Sequence, residues 1–189
     1  MSTRKPLTLG LLLTLALASP ALAQQTSGLG PSATQQTPGL GQPISQQDLA
    51  PWDIDASPDG TGLPPGSGTP KDGLIVYQQK CLACHGANGA GASQVRLTGG
   101  QGTLGVPGKK PVKTVGSFWP YATTVFAYIR RSMPYNNAKS LTPDELYAVT
   151  AYILNLNKII GDDDVMNAQT LPQVKMPNRD GFIPWHRGL

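Results

Sequence analysis

The chain has 189 residues and a formal net charge of +4, with 22 glycines, 18 prolines, two cysteines and two histidines. Taking Arg4 and Lys5 of the leader away leaves 13 basic against 11 acidic residues, a charge of +2, which excludes a nucleic-acid binder because that role calls for strong basic clustering. The cysteines, three positions apart, close too short a loop to staple a fold and are too few for a four-ligand zinc site.

The N-terminus reads as a signal peptide over residues 1–23. Arg4 and Lys5 form a positive start, Leu7 to Ala18 a short uncharged apolar run, and Ser19-Pro20-Ala21-Leu22-Ala23 a small-residue cleavage site before Gln24. The run falls short of the ~20 apolar residues that a spanning helix needs. No cysteine follows the cleavage site to carry a lipid, and Arg4-Lys5 is not a twin-arginine pair. The expectation is Sec export to the periplasm with no membrane span in the mature form, a retained anchor being the alternative.

Residues 24–68 read as a disordered Gln/Gly/Pro-rich linker. Gln24-Gln25-Thr26-Ser27-Gly28-Leu29-Gly30-Pro31 returns as Gln35-Gln36-Thr37-Pro38-Gly39-Leu40-Gly41-Gln42, too polar to offset the entropy of ordering it. Trp52 and Ile54 are expected to pin its end onto the folded part.

A folded all-α domain is predicted over residues 69–160. A first helix is expected from Lys71 to Cys84, with Leu74, Tyr77 and Cys81 on one side. Gly86 to Gly108 is glycine-rich and aperiodic. A second helix is expected from Pro120 to Ser132, with proline in its first turn and Tyr121, Val125 and Ile129 at helical spacing. The last helix has the clearest signals: Thr142 as N-cap, Pro143 at N1, Glu145 closing a capping box, and Leu141 stapled onto Leu146. Leu146, Val149, Ile153 and Leu156 form its apolar stripe, and Asn157, Lys158 and Gly161 its stop signals. Residues 161–189 are expected to be an extended tail partly wrapped on the surface.

The chemistry is concentrated in Cys81-Leu82-Ala83-Cys84-His85. On a helical turn, two thiols separated by two residues match the two vinyl groups of a haem. The next residue then offers its imidazole to the iron, so C-x-x-C-H reads as the attachment of one covalent haem c. A thioredoxin-like redox pair would need a βαβ setting, which is missing from this pattern. The opposite face of the iron has four candidates: Met133, Met166, Met176 and His186. Met133 and Met176 each precede a proline, which pushes them out of helical conformation and onto loops. His186, beside Trp185 near the terminus, reads as exposed.

Tyr77-Gln78-Gln79-Lys80-Cys81-Leu82-Ala83-Cys84-His85-Gly86, the glycine-rich loop after it, Met133-Pro134 and the final helix together resemble a class I cytochrome c. The resemblance implies helices packed around one haem, with the first and last crossing at Gly73 and Tyr77 against Ala148 and Tyr152. It also makes Met133 the sixth ligand, because the family places that ligand between the last two helices. The family's Pro-x-Leu after the motif is replaced here by Val95-Arg96-Leu97, leaving the Val95 carbonyl as the expected acceptor for the imidazole N–H. Methionine as sixth ligand raises the potential and fills the coordination sphere, favouring electron transfer over a haem enzyme such as a peroxidase with an open or labile sixth site.

Several further segments are similar to the cytochrome subunits of sulfite and sulfane dehydrogenases: Phe118-Trp119-Pro120-Tyr121, Ile129-Arg130-Arg131-Ser132-Met133-Pro134-Tyr135 and Lys175-Met176-Pro177-Asn178-Arg179-Asp180-Gly181-Phe182. In that family the cytochrome takes electrons from a separate molybdenum-cofactor subunit. The resemblance therefore implies an electron carrier in sulfur oxidation, with such a dehydrogenase and a downstream acceptor as partners. Lys109, Lys110, Lys113, Arg130 and Arg131 are candidates for a basic ring around the haem edge.

Overall fold

A computed structural model describes residues 41–182. The signal peptide, most of the repeat, and Trp185 and His186 lie outside the described residues. Among the described residues, five α-helices and one pair of two-residue strands follow in the order α1 (Gln46–Leu49), β1 (Ser67–Gly68), α2 (Pro70–Lys80), α3 (Leu82–His85), α4 (Ala122–Ser132), α5 (Pro143–Leu156) and β2 (Met166–Asn167). No helix among the described residues is long and apolar enough to cross a membrane.

α2 and α5 start where short side chains satisfy their first N–H groups, whereas α4 has no side-chain cap at Tyr121. Thr142 accepts from the Glu145 N–H at 3.3 Å, while the Thr142 N–H donates to the Glu145 carboxylate at 2.9 Å. This is the predicted capping box, with Pro143 in the first turn. Thr69 and Asp72 repeat the device on α2, with Pro70 opening the helix. The expected second helix is shorter than its pattern. Pro120 stays outside, Tyr121 is extended (φ −137°, ψ 136°), and the Tyr121 ring instead lies 4.3 Å from the Arg179 guanidinium.

The core sits where α2 and α4 pack on α5. Phe126 and Tyr147 are fully buried, with ring centroids 4.7 Å apart. Tyr77 and Tyr152 meet at 5.2 Å across the α2–α5 crossing. Gly73 permits that crossing, because a β-carbon there would run into the Ala148 carbonyl and stand 2.7 Å from the Tyr152 β-carbon. Such close approach brings the face with Gly73, Val76 and Tyr77 inward and leaves Leu74 37% exposed. Leu74 therefore does not share the buried side of Tyr77, with which its spacing groups it.

The predicted first helix is divided. Cys81 leaves helical geometry (φ −125°, ψ −34°), and α3 begins anew at Leu82. The reason lies downstream: the carbonyls of Cys84 and His85 accept from the Gln94 and Gly91 N–H groups at 2.9 and 2.7 Å, tying this turn to the loop.

Both flanks of the domain are more integrated than their composition suggests. The compact unit begins at Ile44 rather than at residue 69. Arg130 donates to the carbonyls of Ile54 and Gly62 at 3.1 and 3.3 Å, Tyr147 Oη donates to Pro64 O at 2.8 Å, and the Ser67 N–H donates to Asp144 at 2.8 Å. Polar anchors, together with Ala56 and Leu63 packed partly buried against the core, order the end of this predicted linker. Trp52 is 71% exposed, with the Lys139 ammonium 4.4 Å above its ring. On the other flank, Gly68 pairs with Met166 in the antiparallel β1–β2 ladder. Met166, Leu171 and Met176 of the predicted surface tail are buried in the core cluster.

Candidate functional site

α3 and the loop after it build the site. The His85 N–H donates to Cys81 O at 2.9 Å, closing one turn that carries Cys81, Cys84 and His85 together. Gly86, at φ +73°, ends the turn. Both cysteines are free thiols, Cys81 half-buried and Cys84 exposed. Burial pushes the Cys81 thiol up to about 11, against the opposing pull of the Lys80 ammonium. Tyr77 closes the site from beneath: its hydroxyl donates to Gly86 O at 2.8 Å, and desolvation by burial, ahead of the Cys81 charge, pushes it up to about 12. The sequence reading had Tyr77 as a packing residue only; its hydroxyl bond had no signal in the pattern.

His85 Nδ1 lies 2.9 Å from the Val95 carbonyl. A carbonyl can only accept, so Nδ1 carries a proton, and in the neutral ring the lone pair then sits on Nε2. Among the described residues Nε2 has no hydrogen-bond partner. A neutral imidazole with one nitrogen anchored and the other open is the state in which histidine binds a metal. Two free thiols on the same turn complete a donor set that fits a covalently attached haem.

The loop holding Val95 is itself fastened. Leu97 N–H donates to Gly89 O at 2.8 Å, and Leu97 O accepts from the Val115 N–H and from Asn157 Nδ2, both at 3.2 Å. Thr114 Oγ1 donates to Gly99 O at 2.5 Å. The sequence pattern marked Asn157 only as a stop signal.

Met133 caps α4 in extended conformation (φ −123°, ψ 146°), with its N–H on Ile129 O at 2.9 Å. The bond to Pro134 is cis. Met133 and Cys81 are both partly buried against one core cluster, whereas Met166 and Met176 lie inside it. The basic residues separate into two groups. Arg130 holds the Ile54–Gly62 segment and so serves the fold, whereas Arg131 meets Asp55 in an exposed surface pair that contributes little to it. Lys109, Lys110 and Lys113 are exposed, the last with its ammonium 4.8 Å from the Phe118 ring centroid.

Residues 70–157 match the family described as cytochrome c. Comparison with curated proteins gives no match. Among solved structures, the chain is similar to one in the crystal structure of the sulfane dehydrogenase SoxCD from Paracoccus pantotrophus. The identity is 41%, the match covers 80% of this chain and 74% of that one, and the TM-score is 0.73. With the crossed helices and the Cys81–His85 turn already in place, these likenesses show that the chain belongs to the cytochrome c family, as a class I c-type electron carrier related to sulfur-oxidation enzymes.

Proposed function

We propose that this chain is a periplasmic monohaem cytochrome that binds one haem c through Cys81 and Cys84, with His85 and Met133 as the iron's axial ligands. The observation that carries the reading is the His85 ring, anchored at Nδ1 by Val95 O at 2.9 Å on the same turn as two free thiols. When bound, the haem supplies one-electron redox chemistry. The chain's own residues do the rest. Cys81 and Cys84 fix the group covalently, and the Val95 carbonyl holds the imidazole in one tautomer and raises its basicity as a ligand. Met133, extended at the end of α4 and less buried than the other two described methionines, is the thioether placed to fill the remaining position.

The electron donor we assign is a molybdenum-cofactor dehydrogenase acting on sulfite or a sulfane, with a separate acceptor downstream. The sequence resemblance supports this, as does the likeness to a chain of the SoxCD sulfane dehydrogenase structure. Export through the signal peptide over residues 1–23 places the reaction in the periplasm. The bounds we assign are leader 1–23, linker 24–68, cytochrome domain 69–160 and tail 161–189, with the end of the linker and the tail both packed on the domain.

The test is denaturing electrophoresis of the purified protein with a haem-peroxidase stain, together with pyridine haemochrome quantification. A coloured band that survives acid–acetone extraction, at one haem per chain, is expected. Colour lost on extraction, or a stoichiometry other than one, would count against the assignment. Co-purification from the native source, followed by reduction of the haem on adding sulfite or a sulfane, tests the donor.

A further inference from the structure

Asn157 is buried at 5% exposure just beyond α5, far along the chain from the Cys81–His85 turn. Asparagine after a helix is ordinarily explained by its tolerance of left-handed backbone. That explanation fails here, because Asn157 has φ −87° and ψ 4°. Its amide is instead fully engaged. Nδ2 donates to Ile153 O at 2.9 Å and to Leu97 O at 3.2 Å, and Oδ1 accepts from the Gly99 N–H at 3.2 Å. Its own carbonyl accepts from Gln101 Nε2 at 3.3 Å. The backbone of Gly116 presses on this amide so closely that a β-carbon there would stand 2.6 Å from Asn157 Cγ.

These bonds clamp residues 97–101 to the end of α5, and Val95 lies two residues upstream of the clamp. The Val95 side chain is 76% exposed, so its own packing does not locate its carbonyl. The carbonyl is held from its two sides, by Gln94 N–H on Cys84 O at 2.9 Å and by the fastened Leu97. We infer that Asn157 is a positioning residue for the His85 ligand: by anchoring Leu97 and Gly99 to α5 it sets the Val95 carbonyl that holds the imidazole Nδ1–H. The inference rests on the reading of His85 as an iron ligand. Through this chain of contacts the last helix governs the electronic character of a ligand supplied near the first.

The experiment follows the His85 Nδ1–H resonance by NMR in the reduced, haem-bearing protein and measures its exchange with solvent. In Asn157→Ala the exchange rate is expected to rise about tenfold, because losing the side-chain bonds to Leu97 and Gly99 favours local opening of this segment. The midpoint potential should shift with it. Leu146→Val, a core change at the opposite end of α5, controls for general loosening and should leave both unchanged. If Asn157→Ala yields no folded holoprotein, Asn157→Asp carries the same expectation, since it keeps the acceptor for Gly99 but has no donor for Leu97. Exchange at the wild-type rate in the variant that folds, or an equal rise in Leu146→Val, would overturn the inference. Absence of any haem-shifted His85 resonance from the wild type would overturn the ligand reading itself, independently of the variants.

Discussion

Gly73 on α2 lies against the backbone of Ala148 on α5 with no space for a side chain between them. Two effects of Gly73→Ala oppose each other. Helix propensity favours alanine by up to ~1 kcal/mol. The added carbon meets backbone, which cannot swing aside, and overpacking of this kind costs about 1–3 kcal/mol. The collision wins, so the variant should be less stable than wild type in a urea titration. A gain in stability would mean that the helices separate more readily than their contact implies.

Glu145 closes the capping box of α5 and accepts from Lys80 Nζ at 2.8 Å. The Lys80 hydrogen bond first, and the Thr142 N–H second, hold its carboxyl below the usual glutamate range. A depressed folded-state value has a definite sign. The contribution to stability is fully present above the unfolded value of about 4.3 and is lost as pH falls through the folded one. Glu145→Gln should therefore flatten the acid limb of the stability–pH curve, measured by thermal melts from pH 7 downward. At neutral pH the cost should be about 1 kcal/mol or less, as both partners are near one-third exposed.

The methionines divide by burial. Met133→Ala should abolish the weak near-infrared sulfur-to-iron band of the oxidised protein and lower the potential, because methionine ligation raises it. Met176, at 3% exposure, is a core residue. Met176→Ala should keep the band while costing about 2–5 kcal/mol in denaturant titration. The reverse pattern would transfer the ligand role to Met176.

Arg130 is committed to the Ile54–Gly62 segment, while Lys109, Lys110 and Lys113 are exposed candidates for docking that make no ion pair among the described residues. The second-order rate of reduction by the native donor should fall as salt shortens the Debye length from ~10 Å at 0.1 M to ~3 Å at 1 M. The Lys109/Lys110/Lys113→Gln variant should be slower at low salt, since steering acts mainly on the on-rate. A rate indifferent to salt, or a variant as fast as wild type, removes this patch from the mechanism.

What was legible in the sequence was local. Thr142-Pro143-Asp144-Glu145 carries its capping box within four residues, and Cys81 to His85 carries its chemistry within five. Thr69-Pro70-Lys71-Asp72 bears the same cap signal, which a helix starting at Lys71 overlooks. The Val95 carbonyl was an expectation of the family resemblance, through Val95-Arg96-Leu97 in place of Pro-x-Leu, and it lies within hydrogen-bond distance of His85 Nδ1. The rest depends on partners distant in sequence. The break at Cys81 is drawn out by bonds from Gly91 and Gln94. Leu74 faces outward because Gly73 brings a different face to α5. Ile54 to Pro64 reads as linker because its anchors, Arg130 and Tyr147, lie some way down the chain and bind carbonyls that every residue possesses.

The Gly73–Ala148 crossing also sets an order in time. On the export route proposed above the chain emerges unfolded and N-terminus first, so the Cys81–His85 segment reaches the periplasm before any residue of α5. Until α5 arrives, the inner face of α2 has no mate, and the long loop between them must still be closed at an entropic cost. The emerging chain therefore passes through a period in which its thiols are accessible and its core is open. On the reading proposed above, this is the period in which a haem can be joined to them. Docking of the last helix, and with it the seating of Asn157 on the loop, is then the step that seals the finished protein.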